Sequence, residues 1–182
     1  ADSSTYTHHM EQGTASQQPA YSAGVLTFVS ADEDSLATGV QISLTADFTV
    51  GVKINPAIAA AGTFLGDYTS DKELFKYTSA TRITVKIAGS AAKSLDLDSG
   101  TFGDDYIVIT RVSDVLTLWH NGVEQTGTNP TAAGTALIDA ISMRYNAAGP
   151  VDYFDGTIEE IIIYNDASAT ITAAVNTRLS TL

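Results

Sequence analysis

Strict alternation of apolar and polar residues in two short segments limits the folds open to this chain more than any other feature. The segments are FTVGVKI (48–54) and TRITVKI (81–87). Each places its apolar residues on one face of an extended chain: Phe48, Val50, Val52 and Ile54 in the first, and Ile83, Val85 and Ile87 in the second. A period of two with one polar face is typical of half-buried antiparallel strands.

A longer segment, DYIVITRVSDVLTLWHNGVEQ (105–125), predicts three further strands. Two β-rich runs flank Ser113-Asp114, and Asn121-Gly122 directly follows the second run. Asn-Gly tolerates a positive φ at both positions of a tight turn, so this dipeptide predicts a type I′ hairpin. The whole segment is therefore predicted to form a three-strand meander.

Only the end of the chain has a helical pattern. In SATITAAVNTRLSTL (168–182), Ile171, Val175 and Leu179 recur every four residues, and Ser168 is a suitable N-cap. Many short strands, frequent turn residues and one short C-terminal helix indicate an all-β sandwich or barrel.

The chain length and its first residues suggest one domain preceded by an arm. A chain of 182 residues is most simply a single domain with a core of its own. Residues 1–20 are polar and lack any period, so we predict an extended arm followed by the domain at 21–182. His8 and His9 lie in the arm, where we expect solvated side chains rather than metal ligands, because no third ligand stands at metal spacing.

The predicted core is made of the inward residues of the strands. Trp119 is assigned to it too, although an isolated tryptophan could also stack on a sugar. The other predicted core residues are Phe28, Phe48, Val50, Val52, Ile54, Ile83, Val85, Ile87, Val108, Leu116, Leu118, Ile141, Ile158, Ile161 and Ile163.

Composition argues against several classes of function. The formal net charge is −12, from 21 acidic and 9 basic residues with no basic stripe, so no nucleic-acid partner is expected. Cysteine is absent, which excludes disulfides and thiolate metal sites. No apolar run reaches the roughly 18 residues of a membrane span, and the first residues show no apolar signal core. No membrane partner is therefore expected.

Four segments together resemble the laminin G-like domains and the concanavalin-type lectin and glucanase jelly rolls. In order they are AYSAGVLTFVSADEDSLAT, DFTVGVKI, LTLWHNGVEQTG and YFDGTIEEIIIYNDA, and the resemblance covers about residues 17–182. The last segment is similar to the closing strand of that family through Phe154, Gly156, Ile158, Glu160, Ile163, Tyr164 and Asn165. The resemblance implies an antiparallel jelly-roll β-sandwich. The polar arm replaces the usual leading segment, so a sheet edge is predicted to be open or completed by a neighbouring subunit.

The adjacent glutamates Glu159 and Glu160 raise the question of glycosidase activity, which relatives of this wider fold possess. A retaining mechanism needs two carboxyl groups about 5–5.5 Å apart. Laminarinase-type relatives supply them as Glu-x-Asp-x-x-Glu, a spacing that this sequence lacks. Neighbours in a regular strand point to opposite faces unless a bulge intervenes, so Glu160 is predicted to be a structural acceptor for backbone or hydroxyl groups. With no Ser-His-Asp arrangement and no phosphate loop, we expect neither an enzyme nor an organic cofactor.

The resemblance also implies a possible calcium site at one rim of the sandwich. The candidate ligands are Asp96 and Asp98, two apart on one strand face, and the adjacent Asp104 and Asp105; residues 32–34, DED, form another acidic loop. Calcium needs six to eight oxygens, and the alternative is that these are solvated turn residues.

Two non-enzymatic functions follow from the resemblance. The first, which we favour at this point, is a bacteriophage virion protein: a capsid decoration, cement or fibre protein, homo-oligomeric and perhaps trimeric, bound to a capsid or other virion protein and assembled in the host cytoplasm. The alternative is a carbohydrate-binding module on a phage fibre or an extracellular bacterial surface. Its glycan would stack on exposed aromatic rings, for which Tyr68, Tyr77, Tyr145 and Tyr153 are the candidates.

Overall fold

The computed structural model describes residues 9–57, 62–69, 74–87, 90–146 and 148–182. Within these ranges about half of the residues lie in strands, and there are two short 3-10 helices, at Ala15–Gln17 and Ser30–Asp32, and a single α-helix, α1, at Ala169–Leu179. The strands are β1 (Ala20–Ser22), β2 (Val25–Phe28), β3 (Leu36–Leu44), β4 (Phe48–Pro56), β5 (Gly62–Gly66), β6 (Leu74–Ser79), β7 (Arg82–Lys86), β8 (Lys93–Asp96), β9 (Asp105–Val112), β10 (Val115–His120), β11 (Val123–Gln125), β12 (Ala136–Ile141), β13 (Arg144–Asn146), β14 (Gly149–Val151) and β15 (Gly156–Tyr164).

Two antiparallel sheets face each other. The seven-stranded sheet has the order β1-β2-β15-β4-β9-β10-β11, and the six-stranded sheet has the order β3-β12-β5-β6-β7-β8. Strands β13 and β14 form a separate hairpin. The predicted all-β jelly-roll sandwich with one short C-terminal helix is confirmed. The predicted meander is confirmed too, as β9, β10 and β11, with φ values of 49° and 80° at Asn121 and Gly122.

The core lies between the two sheets and is rich in aromatic rings. Phe64 contacts Tyr77 with ring centroids 5.5 Å apart, and Phe48 contacts Phe75 edge-on at 6.2 Å. The predicted core residues are buried, apart from Trp119 and from Ile161 and Ile163, which are half-buried; the two isoleucines pack against the core.

Helix α1 covers the outer face of the seven-stranded sheet. Val175 and Leu179 pack on Val108 in a second apolar cluster, where Trp119 is half-buried. Val108 and Trp119 therefore lie under the helix rather than between the sheets. A Cβ added to Gly51 would come 2.4 Å from Cγ1 of Val175, so the helix approaches β4 where a side chain is missing.

The expectation that the second face of β4 is solvated is wrong, because α1 covers it. Thr49 on that face is fully buried, and its Oγ1 donates to the carbonyl of Asp166 at 2.8 Å. The helix itself is confirmed: it begins after Ser168, whose side chain accepts a hydrogen bond from the N–H of Ile171 at 3.4 Å.

A bulge at Glu159 interrupts the alternation of β15. Ile158 pairs with Ile54 of β4, whereas Glu160 pairs with Lys53, the next residue of that strand. Glu159 and Glu160 therefore do not lie in a regular strand, which was the condition for their side chains to point to opposite faces. Glu160 is nevertheless a structural acceptor, although its partner is a guanidinium rather than backbone: Nε and Nη2 of Arg178 in α1 lie 3.1 and 2.6 Å from its carboxylate oxygens.

Arg111 in β9 is buried, and backbone carbonyls hold its guanidinium. Its guanidinium donates to the carbonyl of Ala46 at 3.0 Å and to those of Ala132 and Gly134 at 3.3 and 2.6 Å, and it stacks 4.9 Å above the ring of Phe48. One side chain thus ties two loops to the central part of the seven-stranded sheet.

The described part of the arm contacts the open edge of the six-stranded sheet. The backbones of Glu11 and Ala37 exchange two hydrogen bonds, of 2.7 and 3.0 Å, at the edge strand β3. His9 is exposed, while His8 lies outside the described residues. No helix in the described ranges is long and apolar enough to cross a membrane.

Candidate functional site

A wide bulge in β3 opens a cavity at the edge of the six-stranded sheet. Ile42 pairs with Ile138 of β12, and the next pair joins Ala37 to Ala140, so residues 38–41 lie opposite Asp139 alone. The resulting cavity has a volume of about 620 Å³. We call it the rim cavity; its lining residues are Ala37, Thr38, Gly39, Val40, Gln41, Tyr68, Thr69 and Asp139. Bulges of this kind often re-aim side chains at functional sites.

The buried carboxylate Asp139 lines this cavity, and a second one, Asp67, hydrogen-bonds to the lining residues Gln41 and Thr69. Oδ1 of Asp67 accepts hydrogen bonds from the N–H and the hydroxyl of Thr69, both at 2.7 Å. Oδ1 of Asp139 accepts from the N–H of Tyr68 at 2.5 Å. Nε2 of Gln41 donates to Asp67 at 3.3 Å and to Asp139 at 3.2 Å, so one amide bridges both carboxylates.

The charges of the carboxylates Asp67 and Asp139 act on each other at the rim cavity. Burial raises the pKa of Asp139, and the neighbouring charge of Asp67 raises it further, against the opposing hydrogen bond from Tyr68. Both side chains are 1% exposed or less. Since a buried carboxylate is costly without partners, the polar groups around this pair are part of the site and not incidental.

Two of the four tyrosines predicted for sugar stacking meet at the rim cavity. Tyr68 is 41% exposed, and its ring meets that of Tyr145 edge-on with centroids 6.2 Å apart. Burial raises the pKa of Tyr153, and the charges of Glu33 and Tyr68 raise it further. The candidacy of Tyr77 is wrong, because its ring is fully buried in the core.

The first pair of predicted calcium ligands is engaged in intramolecular contacts. Oδ1 and Oδ2 of Asp96 lie 2.6 and 3.1 Å from Nε and Nη2 of Arg82. Asp98 accepts hydrogen bonds from the N–H groups of Thr126 and Gly127, each at 2.8 Å, and these lower the pKa of Asp98. Both carboxylates thus stabilise the chain around β8.

The second pair lies at the start of β9. Asp104 forms an ion pair with Lys53 at 2.6 Å. Asp105 accepts from the N–H of Gly103 and from Asn121, both at 2.6 Å, and lies 2.9 Å from Nε2 of His120. Burial raises the pKa of Asp105, but these partners outweigh it and the pKa is lowered.

Among the described residues, no three His, Cys, Asp or Glu side chains are grouped to hold a metal. Calcium at Asp96, Asp98, Asp104 and Asp105 stays a prediction. The DED loop is also engaged, since Asp34 accepts from the N–H of Val29 at 2.9 Å and Glu33 from Gln17 at 2.8 Å.

Sequence reasoning missed Gln41, Asp67 and Asp139. The signal that points to Asp139 is a lone charge inside the apolar run ALIDAI, because a charged residue there is rarely buried without a purpose. Asp67 directly follows the apolar strand GTFLG. Gln41, Asp67 and Asp139 come together because of the bulge in β3, and no local sequence pattern predicts that bulge.

The donors at the rim cavity fit a hard cation better than a transition metal. Asp67 and Asp139 supply carboxylate oxygens, Thr69 a hydroxyl and Gln41 an amide oxygen after rotation of its side chain. Oxygen ligands without imidazole or thiolate suit calcium or magnesium, and calcium accepts irregular geometry and several water ligands.

The fold is that of the concanavalin-like jelly rolls, as solved structures confirm. No protein-family model matches the chain, and no curated protein sequence matches it. The native heptameric SAP-like pentraxin from Limulus polyphemus is similar over 81% of this chain and 74% of its own, with a TM-score of 0.61 and 12% identity.

Two sialidase-derived structures are similar as well. The CBM40 of the Ruminococcus gnavus IT-sialidase, bound to α2,3-sialyllactose, matches over 72% of this chain and 83% of its own, with a TM-score of 0.56 and 15% identity. The leech intramolecular trans-sialidase matches over 76% of this chain but only 24% of its own, with a TM-score of 0.57 and 11% identity. At such identities the similarity concerns the fold alone.

Proposed function

We propose that this chain is a non-catalytic, lectin-like carbohydrate-binding module whose glycan site is the rim cavity. The observation that carries the proposal is the edge-on pair of Tyr68 and Tyr145 at a cavity that is lined by Tyr68, Gln41, Thr69 and the buried Asp139. Aromatic rings with a few fixed polar groups are what a sugar-binding site needs.

Each part of the cavity has a role in this proposal. The exposed ring of Tyr68 stacks on the apolar face of a sugar ring, and Tyr145 supports it from the side. Gln41 and Thr69 bind sugar hydroxyls, and the two buried carboxylates hold Gln41 and Thr69 in place. Because the N–H groups of residues 68 and 69 hold Asp139 and Asp67 in place, little entropy is lost on binding.

Calcium fits the same place. Asp67 and Asp139 would hold it together with oxygens of Thr69 and Gln41. When bound, it would neutralise the carboxylates and offer open coordination positions to sugar hydroxyls.

The solved structures favour this proposal over a virion role. The similar CBM40 was solved with sialyllactose bound, and the similar pentraxin is a heptamer, whereas the structures compared above give no support to a phage or capsid assignment. We therefore propose the alternative location, outside the cell or at its surface. Self-association is part of the proposal, and light scattering with and without residues 1–20 tests it.

Binding to immobilised and soluble glycans tests the function. Tyr68→Ala should abolish binding to any glycan that the wild-type chain retains, whereas Tyr21→Ala should not, since Tyr21 is 72% exposed on β1 and does not line the cavity. The assays are run in calcium and in EGTA. A chain that binds no glycan under either condition, or binding that survives Tyr68→Ala, would refute the proposed site.

A further inference from the structure

Asp139 is a buried carboxylate of the rim cavity whose hydrogen-bond donors are both neutral. It is 1% exposed, and its donors are the N–H of Tyr68 at 2.5 Å and Nε2 of Gln41 at 3.2 Å. None of the ion pairs within the described ranges includes it. Because burial keeps water away from this carboxylate, its charge is weakly screened and favours a positively charged ligand in the cavity.

Three acceptors fix the orientation of the Gln41 amide. Its Nε2 donates to Asp67 at 3.3 Å, to Asp139 at 3.2 Å and to Oγ1 of Thr69 at 3.0 Å. The reverse orientation would set the amide oxygen against two carboxylates, which is unfavourable. Oε1 accepts from no described residue and is not a buried atom, so it is the end of the amide that a ligand can reach.

The hydroxyl of Thr69 is directed in the same way. It donates its proton to Oδ1 of Asp67 at 2.7 Å, while its oxygen accepts from Gln41. A hydroxyl has one proton and two lone pairs, so Thr69 can offer a ligand only its remaining lone pair. Gln41 and Thr69 therefore both face a ligand as acceptors. Thr38 differs, since Oγ1 accepts from the N–H of Val40 at 3.2 Å and keeps its own proton for a sugar hydroxyl.

An ammonium group suits these acceptors better than a hydroxyl does. It donates three hydrogens and accepts none, whereas a hydroxyl donates one and also accepts. The charge of Asp139 and the formal net charge of −12 both attract a cation. The ring of Tyr68, 41% exposed at the same cavity, attracts a cation over its face as well.

We infer that the rim cavity selects an amino sugar, whose ammonium group donates to Oε1 of Gln41 and Oγ1 of Thr69 while its ring packs on Tyr68. The inference rests on the proposed function and names its ligand class. Asp67 and Asp139 are positioning residues, because their carboxylates keep Gln41 and Thr69 turned as acceptors. Calcium would take the same oxygens, so calcium and the ammonium group exclude each other.

Calorimetric titration in EGTA tests the inference with the glucosamine trimer and the N-acetylglucosamine trimer, which differ only in the charge and acetylation of their amines. At about pH 6 an amine with a pKa of about 8 is charged. We expect the glucosamine trimer to bind at least tenfold more tightly, with the difference shrinking at high salt. Lysine amide, acetylated on its α-amine, carries an ammonium group without a sugar ring and should bind at least tenfold more weakly than the glucosamine trimer.

Asp139→Asn removes the charge with little change of shape. It should reduce the preference for the glucosamine trimer roughly tenfold, about the worth of one hydrogen bond to a charged group, and leave the acetylated trimer nearly unaffected. A merely structural role would weaken both probes alike. The matched control is Asp104→Asn, which removes one negative charge from an exposed carboxylate outside the cavity and should leave the preference unchanged. Near-ultraviolet circular dichroism confirms that each variant is folded.

The outcomes separate this inference from the proposed function. Equal binding of the two trimers, or a preference that survives Asp139→Asn, would overturn the selection of an amine, while neutral glycans bound through Tyr68 would leave the glycan-binding proposal standing. Lysine amide bound as tightly as the glucosamine trimer would overturn the sugar as its source. Calcium in place of EGTA should weaken binding of the glucosamine trimer, and stronger binding would contradict the shared oxygens. If no glycan binds at all, both proposals fail.

Discussion

Replacing Arg111 by methionine tests whether one buried guanidinium holds the two loops of the seven-stranded sheet. The change removes the guanidinium hydrogen bonds to the carbonyls of Ala46, Ala132 and Gly134. Each hydrogen bond from a charged donor contributes about 1.5–3 kcal/mol. Methionine, however, avoids the desolvation cost of burying a charge, so the net loss should be smaller than the sum, about 3–5 kcal/mol.

A loss of this size leaves the domain folded but is easy to measure. For a chain of this length each kcal/mol lowers Tm by about 2–4 °C, so Arg111→Met should lower it by roughly 6–20 °C. Urea unfolding followed by the fluorescence of Trp119 gives the free energy directly. The control is Arg82→Met, which removes an exposed pair with Asp96 and should have a much smaller effect. A loss below about 1 kcal/mol for Arg111→Met, with an unchanged m-value, would refute the reasoning.

Three further changes test other parts of the structure. Gly51→Val should displace α1, because the new side chain would overlap Val175, and the loss of about 2–4 kcal/mol should appear in urea unfolding together with a shift of the tryptophan emission. Gly156→Ala should cost several kcal/mol, since φ is +142° and the added Cβ would lie 2.2 Å from the carbonyl oxygen of Asn55; expression without soluble protein would agree, and an unchanged Tm would not. Asp139→Asn should raise Tm at neutral pH in EGTA. The folded-state pKa of Asp139 is raised, so its ionisation lowers stability as pH rises through that pKa, and the gain over wild type should vanish near pH 3; a gain independent of pH would contradict this.

Local patterns predicted the elements whose residues follow one period throughout. The inward set of β4, the Asn121-Gly122 turn and helix α1 after Ser168 all depend on neighbours in the sequence. The cover over the outer face of β4 could not be predicted in this way, because it depends on where α1 packs.

The candidate site illustrates the same limit. The tyrosines were named from their chemistry, but their convergence depends on the bulge in β3 and on the hairpin that brings Tyr145 to Tyr68. Asp67 and Asp139 stand 72 positions apart in the sequence and meet through Gln41. The calcium candidates were chosen by residue type alone. In the structure each of these four carboxylates contacts a cation, an imidazole or a backbone N–H of the same chain.

Helix α1 and the rim cavity lie on different sheets of the sandwich. The helix closes the outer face of one sheet, whereas the rim cavity belongs to the other sheet. Copies anchored to one surface through their helix-covered faces would all present their cavities away from that surface. Neighbouring cavities could then engage a repeating glycan surface at once, and avidity, not the affinity of a single cavity, would decide how firmly such an array adheres.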